Sequence, residues 1–245
     1  MKQSLFTMEH ARQLTTDTYE LILSGDTSDI TAPGQFVEIQ LPGKFLRRPI
    51  SICNWTQDAL MLLVRVVGSG THDLVRCVPG EELDVLSGLG NGFDPTLGGD
   101  QPLLLGGGIG IAPLYGLAQR MLEAGKTPTV GLGFRTEKDA FYLEEFAKLG
   151  CPLLVATEDG SLGTQGFVTD LAQNVPDRDY VFVCGPTPML KAVHALPQLK
   201  GGQFSFEARM GCGFGACMGC SIPTTHGMKR VCREGPIFCK EEIVW

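Results

Sequence analysis

The stretch Leu103-Leu104-Leu105-Gly106-Gly107-Gly108-Ile109-Gly110-Ile111-Ala112-Pro113 decides the reading of the fold. Three leucines make the short apolar run expected of a strand buried on both faces, and the glycines after them open a tight turn. Pro113 falls where a first helical turn tolerates a residue without an N–H. Strand, glycine turn and helix in succession open a βαβ unit. Side-chain-free residues there let a pyrophosphate approach the backbone, and a helix start favours its negative charge. The spacing departs from the strict G-x-G-x-x-G fingerprint, because Gly108-x-Gly110 is followed by Pro113. Residues 101–119 carry no charge, yet five glycines and two prolines among them argue against a membrane span.

Downstream the same rhythm continues. Strands are predicted at 103–105, 129–134, 153–156, 180–183 and 203–206, with helices at 112–124, 143–149, 167–174 and 188–196, and a terminal strand-like run at 242–245. Such alternation predicts a parallel sheet with helices on both faces and a ligand beyond the carboxyl ends of the strands. Cys184-Gly185-Pro186-Thr187-Pro188-Met189-Leu190 repeats the strand–turn–helix pattern at the same edge. Helix entries set by Pro186 and Pro188 are the structural alternative, but two such turns at one edge are harder to explain as packing. Arg135, after the second strand, stands where an arginine accommodates an NADP 2′-phosphate; the competing reading is a solvated charge.

Upstream, the runs 19–24, 35–41, 60–67 and 82–86 read as strands, punctuated at Pro33-Gly34, Pro42-Gly43 and Pro79-Gly80, with one short helix at 71–77. Short strands with regular turns predict a small antiparallel barrel ending near Gly98-Gly99-Asp100. In it, Arg47-Arg48-Pro49-Ile50-Ser51-Ile52 sets cations beside a strand with a hydroxyl, suited to a phosphate and a flavin or, equally, to a solvated edge with a salt bridge. Gly68-Ser69-Gly70-Thr71 offers a second phosphate turn.

Beyond the last predicted sheet strand the chain reads Gly211-Cys212-Gly213-Phe214-Gly215-Ala216-Cys217-Met218-Gly219-Cys220, and Cys232 follows after eleven intervening residues. C-x4-C-x2-C with a distant fourth cysteine is the plant-type [2Fe–2S] spacing. Two irons need four thiolates, and one loop supplies three only by curling around the inorganic sulfides. Gly211, Gly213, Gly215 and Gly219 permit that close approach. Structural zinc is the competing reading, although zinc usually pairs its cysteines as two short knuckles. Disulfides fit worse, because cysteines so close on a loop rarely all reach bonding geometry. Cys239 rivals Cys232 as fourth ligand, while Cys53, Cys77, Cys151 and Cys184 are scattered. A chain holding such a cluster moves electrons.

Composition bounds the rest. With 245 residues, 43% hydrophobic and 19% charged, the chain is globular and long enough for two domains. A net charge of −7 without a basic run argues against nucleic acid. Nine cysteines and an N-terminus lacking a long apolar stretch point to a reducing cytoplasm. His10, His72, His194 and His226 form no constellation.

Taken in order, Arg48-Pro49-Ile50-Ser51, the 106–113 turn and Cys184-Gly185-Pro186-Thr187-Pro188-Met189 resemble the ferredoxin–NADP reductase superfamily across essentially the whole chain. The cysteine loop, with Arg230-Val231-Cys232 and the ending Ile243-Val244-Trp245, is similar to the branch serving dihydroorotate oxidation in pyrimidine biosynthesis. The resemblance implies an FAD-binding β-barrel over 1–98, an NAD-binding α/β domain over 99–207 and a [2Fe–2S] subdomain over 208–245. It implies FAD contacts from Arg48, Pro49, Ile50, Ser51, Leu63, Val64, Arg65, Gly70 and Thr71. On the nicotinamide-nucleotide side it places Gly106, Gly107, Gly108, Gly110, Cys184, Gly185 and Pro186, and as cluster ligands Cys212, Cys217, Cys220 and Cys232. The glycine-rich run from Ser87 to Phe93 resembles the family's loop at the barrel's end. NAD is then a substrate, and hydride exchange with a flavin needs no acid–base residue. An FMN-containing dihydroorotate dehydrogenase catalytic subunit is implied as partner, in a heterotetramer, without nucleic acid or membrane. The alternatives are a related subunit of a ferredoxin:NADP or sulfide-type oxidoreductase and, in a different class, a structural zinc-binding module. An oxygenase reductase would append a full ferredoxin domain, for which the roughly 40 residues past the sheet are too few.

Overall fold

The computed structural model describes every residue except Pro176. Strands β1 (Lys2–Gln13), β2 (Thr18–Ser24), β3 (Phe36–Gln40), β4 (Arg48–Trp55), β5 (Ala59–Arg65) and β6 (Glu82–Leu89) close into an antiparallel barrel ordered β1-β2-β5-β4-β3-β6. Alternation drives it: along β6, Leu83, Val85, Ser87 and Leu89 are buried while the residues between them are not. The inward side chains, among them Met8, Leu21, Val37, Ile52 and Leu62, form one core. β1 closes the cylinder by pairing with β6 from Lys2↔Ser87 to Thr7↔Glu82. Sequence reading did not anticipate β1, because only Phe6 and Met8 of its otherwise mostly polar run are fully buried. Helix α1 (Ser69–Leu74) follows β5.

The second unit contains β7 (Leu103–Gly107), β8 (Thr129–Phe134), β9 (Leu153–Thr157), β10 (Thr164–Gln165), β11 (Tyr180–Cys184) and β12 (Gly201–Ser205), all parallel and ordered β10-β9-β8-β7-β11-β12. Successive strand residues face opposite ways. Leu104, Val130 and Phe182 therefore pack with α2 (Ala112–Glu123) and α3 (Leu143–Lys148) on one face. Leu103, Leu105 and Val183 pack with α4 (Val168–Gln173) and α5 (Thr187–His194) on the other. The strand order reverses between β7 and β11, which are hydrogen-bonded neighbours. That reversal is the crevice at which open α/β sheets take ligands.

The last segment carries a hairpin, β13 (Ser221–Thr224) with β14 (Gly227–Arg230), then β15 (Ile237–Cys239), which joins the sheet antiparallel to β12. The strand expected at 242–245 is not there. Instead Lys240–Glu242 forms one tight turn, in which Glu242 accepts the Cys239 N–H at 2.9 Å and pairs with Lys229. Beyond it Ile243 makes a single backbone bridge to Thr224, and Trp245 packs through its side chain, 5.6 Å from both Phe206 and His194. Among the described residues no helix is long and apolar enough to cross a membrane.

Candidate functional site

Both glycine turns stand at the point of strand reversal, and they touch. A β-carbon on Gly110 would meet the Cys184 carbonyl oxygen at 2.5 Å, and one on Gly185 would lie 3.2 Å from the Gly107 nitrogen. Gly106, Gly107, Gly108, Gly110, Cys184, Gly185 and Pro186 are thus brought into one place, at the carboxyl ends of β7 and β11. Burial pushes the Cys184 thiol up to about 12, so it stays protonated. A cleft of about 410 Å³ opens in front of Gly107, Gly108 and Pro186. Asp17, Thr18 and Arg65 line it from the barrel, and Arg135, Asp139, Glu158 and Phe167 from the sheet. Glu158 and Phe167 escaped sequence reading; their signal is position alone, after the third parallel strand and at the start of α4.

Of the two adjacent arginines, one is tied up in an ion pair, while the other, among the described residues, donates only to backbone carbonyls. Arg47 pairs with Asp84 at 2.9 Å and donates to the Asp84 and Glu38 carbonyls at 3.0 and 3.3 Å. Arg48 instead lies across the second glycine turn: a β-carbon on Gly70 would sit 1.9 Å from its Nε. Thr71 braces that turn, its Oγ1 accepting the Val67 and Gly68 N–H groups at 2.9 and 3.3 Å. A guanidinium folded over a glycine turn is a cradle that suits a diphosphate. Pro49, Ile50 and Ser51 follow on β4, and the neighbouring β5 presents Leu63 and Val64, both buried. Arg65 points elsewhere, to Asp17 at 2.8 Å in the cleft wall.

The four predicted cysteines gather as two pairs. Cys220 and Cys232 have sulfurs 3.2 Å apart, and the Cys232 N–H reaches the Cys220 sulfur at 3.4 Å. Cys212 Sγ accepts the N–H groups of Ala216 and Cys217 at 3.2 and 3.4 Å. Burial opposes ionisation of Cys212, but these N–H groups and that of Phe214 outweigh it and bring the thiol down to about 6, largely thiolate at neutral pH. Arg230 holds the loop by donating to the Gly215 carbonyl at 2.6 Å. Among the described residues no three Cys, His, Asp or Glu groups converge on one metal ion. Two thiol pairs suit two irons bridged by sulfide better than the single tetrahedral point zinc demands. Cys239 is apart, exposed on β15. The glycine-rich loop after β6 clasps this segment: Asn91 donates to the Glu234 and Ile237 carbonyls at 3.1 and 2.7 Å and accepts the Ile237 N–H at 3.0 Å.

One buried acid lies between these parts. Glu38 on β3, opposite Pro49 of β4, is 1% exposed, and its Oε1 has no hydrogen-bond partner. A β-carbon on Gly213 would meet that oxygen at 2.4 Å, so the cysteine loop rests on it. Burial pushes the Glu38 carboxyl up to about 7, Arg47 opposing and Cys212 reinforcing the shift. A folded value above the ordinary carboxyl range means that the native state binds the proton more tightly. Stability is therefore lost as pH rises from the ordinary range through about 7. Glu38→Gln is expected to raise stability at pH 8, by something on the order of 3 kcal/mol at most, with the gain shrinking towards pH 5. Urea unfolding at the two pH values measures it, and equal midpoint shifts at both would contradict the assignment.

Comparison with known proteins agrees with this geometry. A family model described as the iron-sulfur cluster binding domain of dihydroorotate dehydrogenase B matches residues 207–244, and one described as an oxidoreductase NAD-binding domain matches residues 104–195. The dihydroorotate dehydrogenase B (NAD(+)) electron transfer subunit of Listeria monocytogenes is 41% identical, with 99% of each chain covered. That of a Geobacillus strain is 43% identical over 100% of this chain and 99% of its own. The solved structure of an NADH-dependent reduced ferredoxin–NADP oxidoreductase superposes with a TM-score of 0.90 at 31% identity, covering 99% of this chain and 90% of that one. A ferredoxin NADP+ reductase from Neisseria gonorrhoeae, 16% identical with a TM-score of 0.68 over 79% of this chain and 89% of its own, shares the fold. Identity above two-fifths, sustained from end to end through barrel, sheet and cysteine loop, leaves one conclusion: this chain belongs to the family of dihydroorotate dehydrogenase B electron transfer subunits.

Proposed function

We propose that this chain carries electrons from a separate, FMN-containing, dihydroorotate-oxidising subunit to NAD, through its own [2Fe–2S] cluster and FAD, two copies of each subunit forming a cytoplasmic heterotetramer. The supporting observation is that the cysteine loop rests on β3, the hydrogen-bonded neighbour of the strand bearing Arg48-Pro49-Ile50-Ser51, while the glycine turns open on the far unit. In this reading 1–98 holds FAD, 99–207 takes NAD and 208–245 holds the cluster. FAD, when bound, supplies the conversion between a hydride pair and single electrons.

The chain's own residues bind and orient. Arg48 and the Gly70-Thr71 turn would hold the flavin's diphosphate, while Pro49, Ile50, Ser51, Leu63 and Val64 would frame its ring. The turns from Gly106 to Gly110 and from Cys184 to Pro186 receive the diphosphate of NAD. Its adenosine half then reaches Phe167 and the carboxylates of Asp139 and Glu158, which offset Arg135 and disfavour a 2′-phosphate. Cys212, Cys217, Cys220 and Cys232 would supply the four thiolates that hold the cluster. Exposed Phe214 and Met218 ring the cysteine loop and offer the partner an apolar seat.

Co-purification from the native host tests the assignment. A dihydroorotate-oxidising flavoprotein should accompany the chain, and the complex should reduce NAD when given dihydroorotate. A complex with another dehydrogenase, or one reducing NADP in preference, would instead favour a ferredoxin–NADP-type assembly.

A further inference from the structure

Tyr142 is one of two non-glycine residues with positive φ among those described, at φ 65° and ψ 13°, immediately before α3. A residue bearing a β-carbon stays in that region only when its surroundings hold it there. Here they do. Tyr142 is 4% exposed, its ring meets Tyr115 edge-on at 5.2 Å, and its hydroxyl donates to Glu20 Oε2 at 2.6 Å. Glu20 belongs to the barrel, is 8% exposed and stands opposite Leu63 in register. Arg12 grips the same carboxylate at 3.0 and 3.2 Å and reaches across to Glu145 of α3 at 3.0 Å. These four side chains join the two units immediately behind the cleft, separately from the Asn54–Gln119 hydrogen bond at 2.8 Å: Phe141, next to Tyr142, and Thr18, two residues before Glu20, both line it.

We infer that Tyr142, Glu20 and Arg12 form an inter-domain latch that fixes the sheet unit's orientation on the barrel, and so positions NADH for hydride transfer without binding it. The inference rests on the proposed exchange between NAD and FAD. In the reverse direction used for assay, NADH passes its hydride (two electrons and one proton) to FAD, leaving NAD+ and the two-electron-reduced FADH−. The glycine turns that seat the nucleotide lie wholly on the sheet unit, whereas the reacting distance spans both units. A loosened latch therefore lowers the rate of transfer and leaves affinity alone.

The test is stopped-flow bleaching of the flavin by NADH in the cofactor-loaded complex, comparing the parent with Tyr142→Phe, Glu20→Gln and the double variant. The limiting rate is expected to fall about tenfold in each single variant, misplacement of reacting groups being costly. The NADH concentration giving half the limiting rate should stay unchanged, and the melting temperature should move by only about 2 °C. The double variant should be no slower than the slower single one, since all act through one tie. Unchanged limiting rates, a loss confined to half-saturation, or losses that multiply would each overturn the latch. A parent flavin that NADH fails to bleach would overturn the proposed function along with it, an outcome distinct from the other three.

Discussion

Serine in place of Cys232 is expected to leave the purified chain with at least about tenfold less iron than the parent, while serine in place of Cys239 leaves iron unchanged. Cys232 is 2% exposed and its sulfur touches that of Cys220. Burial and this neighbour push its thiol up to about 12, so it gives up its proton only when a metal ion displaces it. A serine hydroxyl there is a harder ligand and a worse acid, and it would be a buried polar group with no replacement partner. Cys239, exposed on β15, contributes only its backbone to the sheet. Iron and labile sulfide analysis, with the visible absorbance of the cluster, reads the difference. Iron lost from the Cys239 variant and kept in the Cys232 variant would reassign the fourth ligand.

The second large effect belongs to Gly110→Ala. The new methyl would fall 2.5 Å from the Cys184 carbonyl oxygen, 2.6 Å from its carbon and 2.7 Å from the Gly185 Cα. All three are backbone atoms, so no rotamer relieves the clash, and the turn after β7 must part from the end of β11. Overpacking of this kind costs about 1–3 kcal/mol. Half-saturation by NADH should rise by about tenfold or more, since a displacement near 1 Å misaligns the turns. Gly108→Ala is the control. Its φ is +53°, which strains an alanine, yet nothing lies within 4 Å of the added carbon. Thermal melts and steady-state NADH oxidation with an artificial acceptor rank the two. A Gly110 variant milder than the Gly108 variant would show that the turns do not bear on one another as described.

The sheet unit was legible because its signals are local: apolar runs of strand length, glycine turns and proline-marked helix starts at residues 103–113 and 184–190. Cys212, Cys217 and Cys220 stood out for a similar reason, spacing along one loop standing in for spacing in space, whereas Cys232 lies beyond the β13–β14 hairpin and only the fold brings its sulfur beside Cys220. What stayed hidden depends on contacts remote in sequence. β1 buries few large side chains and gains its place only by pairing with β6, far along the chain. Of the two arginines, only the fold shows that Asp84 occupies Arg47 and leaves Arg48 over Gly70. Glu38 lies in a run that reads as an ordinary strand, Phe-Val-Glu-Ile-Gln, and nothing in it announces that a glycine of the cysteine loop will rest on the acid. The strand expected at 242–245 failed for the opposite reason. Backbone pairing there is confined to a single bridge from Ile243 to Thr224, and Trp245 serves as side-chain packing instead.

β15 carries a consequence for how the protein is made. Until it arrives, the outer side of β12 is a row of unpaired backbone groups beside buried Phe204. β12 leaves the ribosome well before β15, and the cysteine loop lies between them. During that interval the nascent sheet is open to pairing with a neighbouring chain, and a loop unable to settle for want of iron would prolong the exposure. Iron supply in the producing cell should thus govern the soluble yield of the whole chain as well as its colour.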